Sequence, residues 1–153
     1  MIPDATFFVR RLTEAVDTLW PSLERSLRTT MSRDPKFKRQ LQVWATRQGI
    51  ANFGDDPFYE TVARQAVYRL LGKILFYQSL RRQHLSLPPL DLSDVSAALV
   101  MPRLRDLFAQ ACRIDYQAVF EESIVEHIPF PQAALDELVA LTTDLERGDF
   151  TEM

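Results

Sequence analysis

The sequence has few of the residues on which catalytic and cofactor sites usually depend: one cysteine, two histidines and four glycines among 153 residues. A lone Cys112 excludes an internal disulfide, and with only His84 and His127 beside it no cluster has the spacing of a metal site. The glycines are isolated, so the glycine-rich loops that bind nucleotide phosphates are missing. Neither histidine lies in a pattern typical of a nucleophilic triad. We therefore expect no catalytic residue, cofactor site or metal site in this chain.

Long hydrophobic runs are also missing. No apolar stretch approaches the roughly 18 residues that cross a bilayer, because charged residues interrupt every candidate. The N-terminal sequence MIPDATFFVRRL lacks the basic-then-apolar order of a secretory signal. We expect a cytoplasmic protein with no membrane partner.

Acidic residues are the minority charge in the first half of the chain, and basic residues are the minority charge in the second half. Residues 1–84 contain 14 of the 18 lysines and arginines and 8 acidic residues, a net charge of +6, whereas residues 85–153 contain 4 basic and 13 acidic residues, a net charge of −9. Two interpretations are open. Either the halves dock through complementary charges or simply carry solvated faces, or the basic half meets a polyanion.

The apolar residues of the first 50 positions recur at helical spacing. The stripe from Phe8 to Leu27 follows steps of three and four residues and predicts a helix. Within it, Pro21 indicates either a kink or the first turn of a second helix.

A second helix is predicted over residues 35–48. Asp34-Pro35 supplies a capping residue and a proline at the first helical position, and Gly49 supplies a residue that tolerates a left-handed turn. Its sides differ in character: Phe37, Leu41, Trp44 and Ala45 form the apolar side, and Lys36, Arg39 and Arg47 form a basic outer face.

The central element is predicted to be a helix over residues 57–84, begun by Asp56-Pro57. Its roughly 28 residues would extend about 42 Å. Apolar residues, Tyr68 among them, surround it almost completely, which is typical of a buried helix. Arg69 and Lys73 lie one turn apart inside the apolar arc, and we expect them to pair with carboxylates of the acidic half. The candidate partners are Asp106, Asp115, Glu121 and Glu122; a functional anion site at Arg69 and Lys73 is the alternative.

The acidic half, residues 91–149, is predicted to contain the remaining helices. The first is capped by Asp91 or Ser93, includes Leu99 on its core side and must accommodate Pro102, either by starting near Met101 or by a kink. A short helix follows at about 115–121, and a last one at about 131–146 ends at Gly148. No segment alternates like a half-buried strand.

These elements define the predicted fold class. It is all-α, an irregular multi-helix bundle around one long buried central helix, in a single domain over residues 1–153. The parts of that domain are the basic N-terminal helices (1–50), the central helix (57–84) and the acidic C-terminal helices (91–149).

One stretch resembles a known family. Residues 58–90, FYETVARQAVYRLLGKILFYQSLRRQHLSLPPL, are similar to the helical region that precedes the catalytic domain in N6-adenine DNA methyltransferases of restriction–modification and phage-defence systems. Those proteins often carry a helix of the form A-Y-x-L-x-N-K-x-L-F-Y-x-x-L, and Gly72 stands where asparagine is usual. The segments 107–120 and 128–131 resemble the family's F-x-x-A-x-x-x-D-Y-x-x-I-F and I-P-L-P patterns. The resemblance covers about 58–149 and leaves out 1–57.

The resemblance implies a module without an active site of its own. In that family the following domain binds S-adenosylmethionine and carries an N-P-P-[FY] motif, which holds a flipped-out adenine. The only asparagine here is Asn52, so this motif is absent. We therefore expect an excised N-terminal module, or a separate helical partner, that is not an enzyme alone. It would scaffold an S-adenosylmethionine-binding catalytic domain in cis or in trans.

Duplex DNA is the second expected partner, contacted through its phosphates. The candidate contact residues are Lys36, Arg39 and Arg47, followed by Arg81 and Arg82. The alternative is a protein–protein interaction or oligomerisation module without nucleic-acid contact, which exposed Phe7, Phe8 or Trp20 would favour. A helix–turn–helix regulator is less favoured, because the longest predicted helix is buried.

Overall fold

The computed structural model describes residues 5–84, 86–114 and 122–148. Over these ranges the chain forms five α-helices and one 3₁₀ helix, and no strand. In chain order they are α1 (Ala5–Arg33), α2 (Pro35–Arg47), α3 (Asp56–Gln83), α4 (Ala97–Ile114), η1 (Ile124–His127) and α5 (Gln132–Gly148). The predicted all-α class is confirmed. The short helix predicted at 115–121 lies outside the described residues.

The core is built around α3. Helix α1 packs against α3 and α5, α4 packs against the same two helices, and η1 packs against α2 and α3. Large side chains that are fully buried come from several helices and include Leu19, Leu41, Phe58, Tyr77 and Leu104. The buried central helix is therefore confirmed. Tyr68 corrects one detail, because 54% of its surface is exposed rather than packed in the core.

Local hydrogen-bond chemistry fixes both ends of α2. The Asp34 carboxylate accepts a hydrogen bond from the Phe37 amide at 3.0 Å, which caps the first turn. At the other end Gly49 has a φ of +74°, and its amide donates to the Thr46 carbonyl at 3.1 Å. The Ile50 amide donates to the carbonyl of Ala45 at 2.9 Å, which completes a Schellman motif. Both predicted boundaries of this helix are confirmed.

The starts of two other helices differ from the prediction. The capping position of α3 is Asp55 rather than Asp56, so Pro57 occupies the second helical position. Helix α1 continues through Pro21 as one helix, so the interpretation of two separate helices is wrong.

The start of α4 also differs. Because it begins at Ala97, neither Asp91 nor Ser93 caps it. Asp91 instead accepts hydrogen bonds from the Ser93 amide at 3.0 Å and from the Ser93 hydroxyl at 2.6 Å, and these bonds lower the pKa of Asp91. Leu99 lies in the first turn and is 57% exposed, so its predicted place in the core is wrong.

The oppositely charged halves of the chain are joined by ion pairs. Arg11 on α1 contacts both Glu137 and Asp144 on α5, each at 2.7 Å. Burial alone would lower the pKa of Arg11, but the two carboxylates outweigh it and raise that pKa. Docking of the halves through complementary charges is thus observed. None of the described helices combines the length and the apolar composition needed to cross a membrane.

Candidate nucleic-acid interface

Helix α2 lies at the edge of the bundle. It packs against α1 and η1, and only Phe37, Leu41 and Ala45 are buried, with Trp44 half-buried. These four residues recur at steps of three and four, so they form one stripe that attaches the helix to the core. The other nine of its 13 residues are exposed. Most of the circumference of α2 therefore faces solvent.

The exposed surface of α2 is basic and contains no acid. It carries Lys36, Lys38, Arg39 and Arg47, and none of these four forms an ion pair with another described residue. The residues 33–47 hold five basic side chains and one acid, a net charge of +4. That single acid, Asp34, is committed to the helix cap. The three α2 residues predicted as DNA contacts, Lys36, Arg39 and Arg47, are therefore brought together on one un-neutralised surface.

Two basic residues of the neighbouring helices, Arg28 and Arg64, contrast with this surface, because carboxylates neutralise them. Arg28 on α1 lies 2.9 Å from Glu24 and 2.9 Å from Asp56. Arg28 donates hydrogen bonds to these two carboxylates, and these bonds raise the pKa of Arg28. Arg64 on α3 pairs with Glu60 at 3.5 Å. Each of these arginines would have to leave a partner to bind a new anion.

The buried cations of α3 are also paired. The Lys73 side chain is 2% exposed, and its Nζ atom lies 2.5 Å from Glu126 of η1. Arg69 contacts the other oxygen of the same carboxylate at 2.8 Å. The predicted internal pairing is correct, but Glu126 is the partner that the structure shows, not the predicted Asp106 or Glu122. Asp115 and Glu121, also predicted, lie outside the described residues. This arrangement favours a structural role for Arg69 and Lys73 over the alternative of a functional anion site.

Two predicted contact residues, Arg81 and Arg82, lie in the last turn of α3. Arg81 donates to the Leu87 carbonyl at 3.3 Å and lies 3.7 Å from Glu146. Arg82 is exposed. They belong to a different helix from the α2 residues, and Arg81 has a carboxylate partner, so α2 provides the stronger candidate surface.

Two arginines of α1 extend the basic region, and the sequence analysis missed them. Arg25 and Arg33 line a groove of about 570 Å³ between α1 and residues 129–133. The hydroxyls of Ser26 and Thr29 in this groove donate to backbone carbonyls, and Arg25 Nη2 donates to the Ser22 hydroxyl at 3.4 Å. The remaining N–H groups of the two guanidinium groups are the charged donors of the groove. A signal was present in the sequence, because residues 25–47 contain seven basic side chains and one acid. The apolar stripe that predicts α1 does not reveal it, because the basic residues lie outside that stripe.

Groups that could perform chemistry are scattered. His127 is exposed and lies 3.7 Å from Glu122, and Cys112 is a half-buried free thiol. Among the residues that the structure describes, no group of three or more histidine, cysteine, aspartate or glutamate side chains could hold a metal ion. What the α2 surface can do chemically is attract and bind an extended anion.

No protein-family model, curated protein or solved structure matches this chain. The resemblance of residues 58–90 to the helical region of N6-adenine DNA methyltransferases therefore stays a prediction from the sequence.

Proposed function

We propose that this chain is a non-catalytic helical module of an N6-adenine DNA methyltransferase. In this role it scaffolds the catalytic domain, in cis or in trans, and holds duplex DNA by its phosphates. The observation that carries the DNA contact is the un-neutralised charge on the exposed surface of α2. S-adenosylmethionine and the target adenine would bind the catalytic domain, not this module.

Counterion release makes the affinity for DNA depend on salt, and the size of this dependence can be calculated. Each lysine or arginine that neutralises a phosphate displaces condensed cations, and log Kobs falls with log salt by about 0.9 per contact. If Lys36, Arg39 and Arg47 each contact one phosphate, the slope is about −2.7. A fourfold rise in salt would then lower the affinity about 40-fold. Cations that already have carboxylate partners add little, because binding DNA would cost them those pairs.

The scaffolding role is supported by an open strip along α3, the helix at the centre of the family resemblance. Thr61, Gln65 and Tyr68 are exposed on this strip. Gly72 lies beside them, and no atom lies within 4 Å of the position that a Cβ on Gly72 would take. A long helix that is buried on its other sides but open here offers a surface on which a second domain can pack.

The DNA contact is tested by fluorescence anisotropy of the full chain with a 20-base-pair duplex between 50 and 200 mM salt. We expect binding with a slope near −2.7, and loss of that binding in the triple variant Lys36→Glu, Arg39→Glu, Arg47→Glu. Circular dichroism checks that the variant is folded, which the exposure of all three residues predicts.

A matched control separates this surface from the net charge of the whole chain. Arg10, Arg105 and Arg113 are exposed arginines on α1 and α4, and reversing all three changes the net charge by the same amount. The control variant should keep most of the affinity. If both triple variants lose affinity equally, or if the unmodified chain shows no salt-dependent binding, the proposed contact is wrong.

The link to a methyltransferase has a separate test. Reading the gene downstream of the codon for Met153 shows whether an in-frame Asn-Pro-Pro-Phe or Asn-Pro-Pro-Tyr motif follows. If none follows, we expect a neighbouring gene to encode a catalytic domain that co-purifies with this chain. A chain that has neither an in-frame nor a co-purifying catalytic domain would contradict the scaffolding role.

The second candidate function is a protein-interaction module without DNA contact. The open strip with Tyr68 and Gly72 favours it, because the same surface fits a second copy of this chain as well as a catalytic domain. An exposed Trp20 would favour this candidate, but Trp20 is half-buried, and the guanidinium carbon of Arg64 lies 4.3 Å from the centroid of its ring. Phe7 and Phe8 have side chains outside the described set. Sedimentation that shows a dimer dissociated by Tyr68→Glu, together with no DNA binding, would favour this candidate.

A further inference from the structure

The exposed side of α2 has an arrangement that phosphate contact alone does not require. Val43 lies in the middle of the basic residues and is 53% exposed. The exposed polar side chains around it, Gln40, Gln42 and Thr46, are uncharged. A surface that served only to attract phosphates would gain from further lysines at these positions and would lose nothing without the valine.

The positions of these residues around the helix separate them into three lines. At about 100° per residue, Arg39, Val43 and Thr46 fall within about 60° of one another and form a central line. Lys36 and Arg47 lie about 50 to 75° to one side of that line, and Lys38 lies about 105° to the other. The cations therefore flank the central line on both sides.

This pattern fits the cross-section of the major groove of B-form DNA. The groove is about 12 Å wide and 8.5 Å deep, whereas a helix with its side chains is about 10–12 Å across. A helix in the groove presents its central line to the base edges and its flanks to the phosphates on either side. Helix α2 meets the steric requirement, because it lies at the edge of the bundle and most of its surface is exposed.

The side chains of the central line and its neighbours match the groups that base edges offer. Arginine donates two hydrogen bonds to guanine O6 and N7, and glutamine pairs with adenine N6 and N7. Val43 and the methyl group of Thr46 suit the thymine methyl group. The Thr46 hydroxyl donates to the Gln42 carbonyl at 2.9 Å, so this residue presents its methyl group more readily than its donor.

We propose that α2 is a recognition helix that enters the major groove of B-form duplex DNA, with Arg39, Val43 and Thr46 at the base edges and Lys36, Lys38 and Arg47 at the phosphates. This inference rests on the proposed DNA contact and extends it, because the module then selects sequence as well as holding the backbone. It also changes the role of Arg39 from a phosphate contact to a base contact. Double-stranded RNA is excluded as an equal ligand, since its A-form major groove is deep and narrow.

The experiment uses the full chain and a pool of duplexes with a randomised central segment. Repeated selection should enrich a short motif that contains a guanine. Dimethyl sulfate footprinting on the enriched duplex should then show protection of guanine N7, which lies in the major groove, and no protection of adenine N3, which lies in the minor groove. A double-stranded RNA of the same sequence should compete much more weakly than the DNA.

Single substitutions assign the roles. Arg39→Ala should reduce the preference for the contacted guanine between about 5- and 150-fold. Val43→Ser should weaken the preference for thymine at one position and leave the salt slope unchanged. Val9→Ser is the matched control, because Val9 is an equally exposed valine, at 60%, on α1. It should change neither the motif nor the affinity.

The outcomes distinguish the two proposals. Binding with the expected salt slope but without an enriched motif or N7 protection overturns the recognition helix and leaves the phosphate contact standing. Equal competition by double-stranded RNA also overturns it. An absence of any DNA binding overturns both proposals.

Discussion

Neutralising Glu126, the carboxylate that pairs with the buried Lys73, should lower the free energy of unfolding. Lys73 Nζ lies 2.5 Å from one oxygen of Glu126, and Arg69 Nε lies 2.8 Å from the other. Glu126→Gln keeps the shape of the side chain and removes its charge. The ammonium group of Lys73, on a side chain that is 2% exposed, then loses that carboxylate and keeps the Phe108 ring at 5.8 Å.

The expected loss in the free energy of unfolding is about 3 kcal/mol. Removing one partner of a buried ion pair costs about 3–5 kcal/mol, because the buried charge that remains loses the compensation which that partner supplied. The lower end applies here because the Glu126 side chain is itself 15% exposed. With a urea dependence of about 2 kcal/mol per molar, the unfolding midpoint should fall by about 1.5 M. The control is Glu122→Gln: that side chain is 46% exposed and pairs with Arg105 at 3.5 Å, so the loss should stay below about 1 kcal/mol.

A double variant tests the reason for this loss. Combining Glu126→Gln with Lys73→Met also removes the buried ammonium charge and fills its place with an apolar side chain of similar length. Replacement of a whole buried ion pair by apolar residues is often neutral or stabilising, so most of the lost stability should return. If Glu126→Gln costs less than about 1 kcal/mol, or if the double variant is no more stable than Glu126→Gln alone, the reasoning about this ion pair is refuted.

Four further substitutions have effects on stability that can be checked by urea denaturation. Gly49→Ala should destabilise by about 1–2 kcal/mol, since Gly49 has a φ of +74°. Gly72→Ala should stabilise the protein by up to about 1 kcal/mol, since Gly72 lies in a helix with open space around it. Equal effects of Gly49→Ala and Gly72→Ala on the free energy of unfolding would contradict both predictions. Tyr77 donates to the Pro88 carbonyl at 2.7 Å, so Tyr77→Phe should cost about 1 kcal/mol at neutral pH. Burial raises the pKa of Tyr77 to about 12 from 10.0. Its contribution should therefore be complete below pH 10 and fall between pH 10 and 12, a fall that Tyr77→Phe should remove. Asp34→Asn keeps a capping oxygen and should change the free energy of unfolding by less than about 0.5 kcal/mol. Because this substitution removes the one acid from residues 33–47, it should strengthen DNA binding in the anisotropy assay. Weaker binding would count against the proposed surface.

Those parts of the fold that depend on local chemistry were predictable from the sequence. The boundaries of α2 follow from a capping aspartate, a proline and a glycine, whose preferences act within a few residues. The start of α3 was predicted one residue late, because Asp55 and Asp56 are both good capping residues and the proline is accepted at the first or second helical position. Burial of the central helix followed from its apolar periodicity.

The errors concern contacts between residues distant in sequence. Glu126 lies 53 residues after Lys73, and its pairing depends on where η1 packs, which periodicity does not reveal. Leu99 was predicted to lie in the core together with the apolar residues that follow it on the same predicted helix. In the structure α4 begins at Ala97, and the residue of its first turn that faces the core is Val100, which is 1% exposed, rather than Leu99. The basic face of α2 was predictable because all of its residues lie on one helix. Arg25 and Arg33 lie on α1, a different helix, so the helical pattern of α2 does not include them.

The cations of the basic half fall into two groups: those on α1 and α3 that pair with carboxylates of the acidic half, and those on α2 that do not. Carboxylates of α5 and η1 neutralise cations of α1 and α3, as in the pairs Arg11–Glu137 and Lys73–Glu126. Helix α2 packs against α1 and η1, and Glu122 lines the same groove as Lys36, yet none of the α2 cations forms an ion pair with a described carboxylate. If the acidic half existed only to balance the basic half, its carboxylates would be expected to pair with these cations as well. The internal pairs leave the positive charge on α2 unexplained, and the anisotropy experiment tests whether DNA binds it.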